Sequence, residues 1–230
     1  MSAETHSAPR TARELARAEL TRAIKQSASE QLAEVGPSAL SLRAVARALG
    51  MASSAVYRYF ASRDELLTAL IIDAYNSVGE AAEQADAQAK AEGHPPTGRW
   101  LAVNRAVRAW ALANKHQFEL VYGTPVPGYA APQDTTVAAA RMPLTLVGIY
   151  NEAHPEFPAD RPQPEPGLIT ETIAELITVP EGRGRLILAW SGLIGVLSFE
   201  LFGQFNGVVT DYAKYFDYTA RATAAELGLG

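Results

Sequence analysis

Cysteine is absent from the chain, which excludes a disulfide framework and any thiolate metal site. Histidine is scarce: His6, His94, His116 and His154 lie far apart with no His-x3-His pair, so no metal site is expected. No uninterrupted apolar run approaches the ~18 residues that a bilayer span needs, and no membrane segment is predicted. The opening MSAETHSAPRTARE carries charges with no apolar run behind them, unlike a secretory signal, and a soluble cytoplasmic protein is expected. Alternating strand patterns, hairpin signals and internal repeats are missing, which leaves an all-α fold. Ser191 has no glycine-elbow context, and neither a carboxylate pair nor a phosphate loop stands out. No catalytic constellation and no cofactor are therefore expected.

What the chain does contain is 230 residues, 48% hydrophobic and 20% charged, a globular composition long enough for two domains. Its formal charge of −5 argues against nucleic acid until the chain is divided at Arg63. Residues 1–63 hold nine Lys or Arg against five acids, a net of +4, while the remainder holds 11 against 20, a net of −9. A basic head on an acidic body suits a protein that offers one end to a polyanion and keeps the rest in solution. A solvated charged helix beside an unrelated domain would give the same imbalance.

Residues 1–9 have no apolar period and are expected to form a mobile arm. Leu20, Ile24, Ala28, Leu32 and Val35 then place one apolar stripe on a long helix that Gly36-Pro37 stops. A short helix follows with both ends marked: Ser41 as N-cap, Leu40 packed on Val45 as a staple, and Gly50 as terminator. After Gly50-Met51-Ala52 a second short helix turns Val56 inward, and Ser62 with Glu65 reads as the capping box of a helix running to about Ala91. Helices are further predicted at Trp100 to Asn114, His116 to Tyr122, Thr135 to Ala153 with a kink or split at Pro143, and Leu168 to Ile177. His154 to Pro166 holds five prolines and reads as a surface loop. Arg183 to Gln204 is apolar on nearly all sides and should be covered by more than one neighbour. Thr210 to Leu227 closes the chain as an amphipathic helix.

Two short helices about a glycine turn, behind a longer supporting helix, are what a helix-turn-helix needs to seat a recognition helix in the major groove. The small residues Ala52, Ser53, Ser54 and Ala55 would let that helix's start approach the bases. Tyr57, Arg58, Tyr59 and Arg63 cluster at its far end, where phenols and guanidinium groups can bind phosphate oxygens. From Ser41 to Leu67, SLRAVARALGMASSAVYRYFASRDELL resembles the DNA-binding signature of the TetR family of ligand-responsive repressors, with the likeness extending over roughly residues 10–70. The resemblance implies Tyr57 and Arg63 on phosphates, Arg43 with Ser53, Ser54 and Ala55 near base edges, and Phe60 in the core. Two positions depart from the family pattern. Arg63 stands where lysine is usual, and Ala52 replaces a capping Ser or Thr, so the recognition helix is expected to begin at Ser53.

The implied organisation is an arm at 1–9, a DNA-binding domain at 10–63 and a helical ligand-binding and dimerisation domain at 64–230. Tyr122 to Pro132 and Trp190 to Gly203 resemble a branch of the family named for a Trp-His-Gly motif, with Ile194 in place of the histidine. A largely apolar cavity is expected among the helices from Trp100 to Tyr150 and the Arg183 to Gln204 helix, with Trp110, Phe118, Tyr122, Tyr150 and Trp190 as candidate ligand contacts. Aromatics at helical spacing also serve as plain core. A homodimer on a palindromic double-stranded operator is expected, paired through the last two helices with Leu193, Val196, Leu197 and Glu200 near the axis, and released by a small effector. The competing reading is an all-helical small-molecule-binding or enzymatic protein whose N-terminal helices are only scaffold.

Overall fold

The computed structural model describes residues 11–156, 164, 165 and 167–230; the expected arm, His6 and most of the proline-rich loop lie outside the described residues. Every regular element among them is helical. The chain divides into two compact units, one formed by residues up to Leu70 with Val126–Ala130, the other by Ile71–Pro125 and Ala131–Gly230.

In the first unit, α1 (Ala12–Val35) begins on a capping box. Thr11 Oγ1 accepts from Glu14 N at 3.3 Å, and Glu14 Oε2 accepts from Thr11 N at 2.8 Å. Only Ile24, Ser27, Ala28 and Leu32 of this helix are buried; Leu20 and Val35, expected on the inner stripe, are 37% and 54% exposed. The reason is size. The helices beneath α1 are too short to cover more than its middle turns.

Ser41 caps α2 (Leu42–Ala48) through Ala44 N, Leu40 and Val45 are both buried, and Gly50 takes φ 64° so that Met51 N can reach Ala46 O at 2.8 Å. Ala52 offers no side-chain cap, and α3 (Ser53–Val56) starts at Ser53 as expected. At the start of α4 (Arg63–Ala91), Ser62 Oγ accepts from Glu65 N at 3.1 Å. The return bond differs from the expected box: Glu65 Oε2 accepts from Ala61 N at 2.6 Å instead of the Ser62 amide. Val56 and Phe60 join Ile24, Leu32, Leu66 and Leu67 in the core. The Val126–Ala130 segment closes this unit with buried Val126 and a 2.8 Å hydrogen bond between Tyr129 Oη and Thr68 Oγ1.

The second unit comprises the rest of α4 with α5 (Pro96–Ala113), α6 (Lys115–Tyr122), α7 (Thr135–Ala153), α8 (Glu171–Leu176), α9 (Arg183–Leu201) and α10 (Tyr212–Glu226). Pro96 occupies the first turn of α5, where a missing N–H costs nothing, and draws its start ahead of Trp100. Pro143 neither splits nor ends α7. Trp100, Val103, Val107, Phe118, Met142, Leu146, Ile149, Leu197 and Phe216 form its core.

On α9 the expectation of cover on all sides fails. Leu186, Ala189, Leu193 and Leu197 make one buried stripe, while Leu188, Phe199 and Phe202 on the other side are 71%, 50% and 45% exposed. Pro180–Leu201 is, by length and composition, apolar enough to cross a membrane, so counting uninterrupted apolar runs understated it. Its one inward face is that of a packed helix with a second apolar face left over.

Candidate nucleic-acid interface

The turn between α2 and α3 sets which side chains face outward. Val56 is fully buried, and this anchors α3 with Ser54 exposed, Ser53 and Ala55 half-buried, and Tyr57 45% exposed at the end. Arg58 is exposed beside it, and Arg43 and Arg47, one turn apart on α2, are exposed as well. Tyr59 is half-buried, with the Arg17 guanidinium 5.1 Å from its ring centroid. Phe60 is 6% exposed, in the core as the resemblance implied.

Arg63 departs from the simple phosphate-contact reading. Its Nη2 donates to Pro37 O at 2.8 Å and Ser38 O at 3.4 Å, and its Nη1 lies 3.4 Å from Asp64 Oδ1, so the side chain is only 30% exposed. Both carbonyls belong to the short 3-10 turn at Pro37–Ala39, and the one nitrogen Nη2 holds them while Nη1 faces Asp64. Arg63 therefore braces the turn between α1 and α2 rather than projecting as a free cation.

The charges of the two units are used in opposite ways. Arg13, Arg17, Arg22, Arg43, Arg47 and Arg58 are exposed and have no ion pair among the described residues. In the second unit Arg99 is held by both Asp86 oxygens at 2.7 and 2.9 Å and by Glu152 at 2.6 Å, and Arg108 by Glu200 at 2.5 and 2.9 Å. Arg105 pairs with Asp217, and Arg141 with Glu83. Hydrogen bonds from Lys90 and then Arg99 hold the Glu152 carboxyl below its usual range. Four arginines of the second unit are paired with carboxylates of that unit, whereas the first leaves a field of unneutralised guanidinium groups around the helix-turn-helix.

Among the described residues, the aromatic candidates for ligand contact differ in burial, and none lines any of four surface clefts. Trp110 is 7% exposed with its indole N–H donated to Ser77 Oγ at 2.9 Å, and Phe118 is fully buried against Tyr122 and Phe202. Tyr150 is fully buried, and desolvation pushes its phenol up to about 12, so it stays neutral. Tyr122 is half-buried, and Trp190 is 37% exposed on α9. Trp110, Phe118 and Tyr150 belong to the buried core of the second unit. Four open surface clefts include none of the five residues; the one between α5 and α10, of about 400 Å³, is lined by Arg105, Arg108, Leu112 and Phe216 among others.

The expected dimer contacts also need correction. Leu193 and Leu197 are 5% and 0% exposed inside their own unit, and the Glu200 side chain is 6% exposed and locked to Arg108. Val196 is half-buried. The opposite side of α9 carries Leu188, Ser191, Gly195, Phe199 and Phe202 at spacings of three and four, all on one face. Phe199 continues through Phe205 to Tyr215 and Tyr218 of α10 by ring contacts of 5.5, 5.3 and 6.1 Å, and Tyr218 is 65% exposed. A period count of α9 could have separated these faces, had its all-round apolarity not hidden which stripe was inward.

A three-helix unit with a capped helix-turn-helix and unpaired arginines, joined to a larger helical unit, defines a helix-turn-helix transcriptional regulator. Residues 24–70 match the family model described as bacterial regulatory proteins of the tetR family, and residues 100–223 match the tetracyclin repressor-like C-terminal domain. The chain belongs to the TetR family of transcriptional regulators. It is similar to the HTH-type transcriptional regulators Mb1846 of Mycobacterium bovis and Rv1816 of Mycobacterium tuberculosis, each 38% identical over 225 residues, 92% of this chain and 94% of theirs. The crystal structure of the regulatory protein SCO4313 matches with a TM-score of 0.74 and 37% identity, over 94% of this chain and 100% of that one. The TetR family regulator PfmR of Thermus thermophilus shares the fold with a TM-score of 0.56 at 18% identity, over 90% and 97% of the two chains. This membership places the chain in a non-enzymatic class and sets aside the scaffold-of-an-enzyme reading.

Proposed function

We propose that the protein is a cytoplasmic homodimeric repressor that holds a palindromic operator and leaves it when a small effector engages its second unit. The observation that carries this reading is the set of exposed arginines without ion pairs around a short, small-residued α3. Arg43, Ser53, Ser54 and Ala55 meet base edges, and Tyr57, Arg58 and Tyr59 bind phosphates. Arg63 acts through the turn that it braces. Residues 10–63 carry this contact, and residues 64–230 carry pairing and effector binding.

One short helix reads few bases, so two copies are needed at half-sites about 34 Å apart. The face of Leu188, Gly195, Phe199 and Phe202 with Tyr218 supports pairing, because an apolar patch of this kind is costly to leave in water. It accounts for the apolar excess of α9 without a membrane. The effector side of the reading is supported by the family, whose members are typically ligand-responsive, with Trp110, Phe118, Tyr122, Tyr150 and Trp190 as the candidate contacts.

The test is selection of duplexes from a random pool by the full chain. A palindromic consensus bound by two copies supports the reading, and a compound that weakens that binding while raising Tm supports the effector arm. Failure to enrich any sequence would refute it.

A further inference from the structure

Arg13, Arg17, Leu20, Ile24, Ala28 and Gln31 follow spacings of three and four along α1 and so share one face. The far half of that face is structural: Ile24 and Ala28 are fully buried, and Gln31 Oε1 accepts from Ser41 N at 2.8 Å. The near half overhangs. No residue of α1 before Ile24 is buried, and from Ala12 to Arg17 every residue is exposed, so about six residues, roughly 9 Å of helix, extend past the core. At that limit the stripe changes from apolar side chains to arginine, while Glu14 and Glu19 lie on other faces and Glu14 is occupied by the cap.

Arg17 is held in a particular way. Its guanidinium sits 5.1 Å from the centroid of Tyr59, the ring just beyond α3. A cation held over the face of a ring is attracted without a carboxylate neutralising it, so its charge stays available to an anion. A salt bridge would instead neutralise that charge, as the pairs of Arg99 and Arg108 do. Neither Arg13 nor Arg17 has a carboxylate partner among the described residues.

We infer that Arg13 and Arg17 form a second phosphate-binding site, a clamp on α1 that grips the DNA backbone beside the groove entered by α3, with Tyr59 as the positioning residue that aims Arg17. This rests on the reading of the protein as a DNA-binding regulator and adds α1 to the elements that touch the duplex. Overhang, charge and stacking then have one explanation. The helix is long because it must reach a phosphate its own core does not.

The experiment measures anisotropy of the full chain with a duplex of about 30 base pairs enriched by the wild type from a random pool, as log Kd against log salt. The double variant Arg13→Ala/Arg17→Ala removes four guanidinium groups from a dimer. It should weaken binding roughly tenfold or more at ~0.1 M salt and lower the slope magnitude by about three to four. Arg17→Lys and Tyr59→Leu keep the charge count, and each should lose affinity with little change of slope, whereas Tyr59→Phe, which gives up the hydroxyl but keeps the ring under Arg17, should lose less than Tyr59→Leu. Thermal melts should be unchanged for the arginine variants, since both side chains are exposed.

Wild-type affinity and slope in the double variant, with Arg58→Ala weakened, would overturn the clamp and leave the DNA reading standing. Absence of any duplex binding by the wild type would overturn both. Loss of binding that tracks a lowered melt in the double variant would make the stacked arginine a fold element and likewise overturn the clamp.

Discussion

Replacing Leu188 with aspartate tests the placement of the subunit interface on the outer face of α9. Leu188 is 71% exposed in one chain, so the substitution leaves that chain's core intact. Full burial of a leucine contributes about 1.5–3 kcal/mol, so covering this one in a dimer contributes about 1–2 kcal/mol per chain and about 2–4 kcal/mol per two-fold pair. Losing that term alone lowers the association constant roughly 30- to 1000-fold, and burying a carboxylate there adds to the loss. Sedimentation velocity over a micromolar concentration series should show Leu188→Asp as a monomer where the wild type is a dimer, with operator binding lost. Leu197→Ala is the control from the inner stripe. Leu197 is fully buried, and its truncation should cost about 2–5 kcal/mol of folding stability while pairing persists below the melt. A Leu188→Asp protein that sediments as the wild-type dimer at every concentration would refute the placement.

Other outcomes follow from the described contacts. Arg99→Ala would strand Asp86 and leave Glu152 to Lys90 alone, and should cost about 1–3 kcal/mol in denaturant unfolding; an unchanged midpoint would mean that the cluster contributes nothing. Gly182→Ala would drive a Cβ into the Tyr150 hydroxyl and the ring carbon that bears it, and should destabilise by about 1–3 kcal/mol, measured by Tm; an unchanged Tm would contradict this close approach. Glu152, Asp217 and Glu83 have carboxyls held low, first of all by hydrogen bonds from Lys90, Arg105 and Arg141. Their stabilisation is complete above the usual carboxylate values and is lost as pH falls through the depressed folded values. Tm should therefore fall between neutral pH and about pH 3, and a flat profile would contradict these pairs. Arg58→Ala removes two exposed guanidinium groups per dimer and should lower the salt-slope magnitude of DNA binding by about two; an unchanged slope would place Arg58 off the duplex.

The helix-turn-helix was legible in the sequence because its information is local. Ser41, Gly50, Ser62 and Glu65 act within a few residues of themselves, and the start of α3 at Ser53 follows from the missing cap at Ala52. Thr11 and Glu14 carried the same kind of signal at α1. What could not be read locally depended on partners distant in sequence. Arg63 reaches back to Pro37 and Ser38, and Arg17 to Tyr59, contacts that no periodicity encodes. The second unit was harder for a different reason. Apolar side chains on every side of α9 left its burial to be decided by α5 and α10, so Leu193 and Leu197 turned inward while Leu188 and Phe199 did not. Aromatic content likewise announced a large core but not which rings lie deepest in it, and Phe118 and Tyr150 do.

Titration of the full chain with its selected duplex over a range of salt tests the central claim most directly. The account predicts two chains per duplex, a preference for a palindrome over random sequence, and a plot of log K against log salt with a slope steeper than about −4. Binding that shows no salt dependence, or no binding to any duplex, would contradict it.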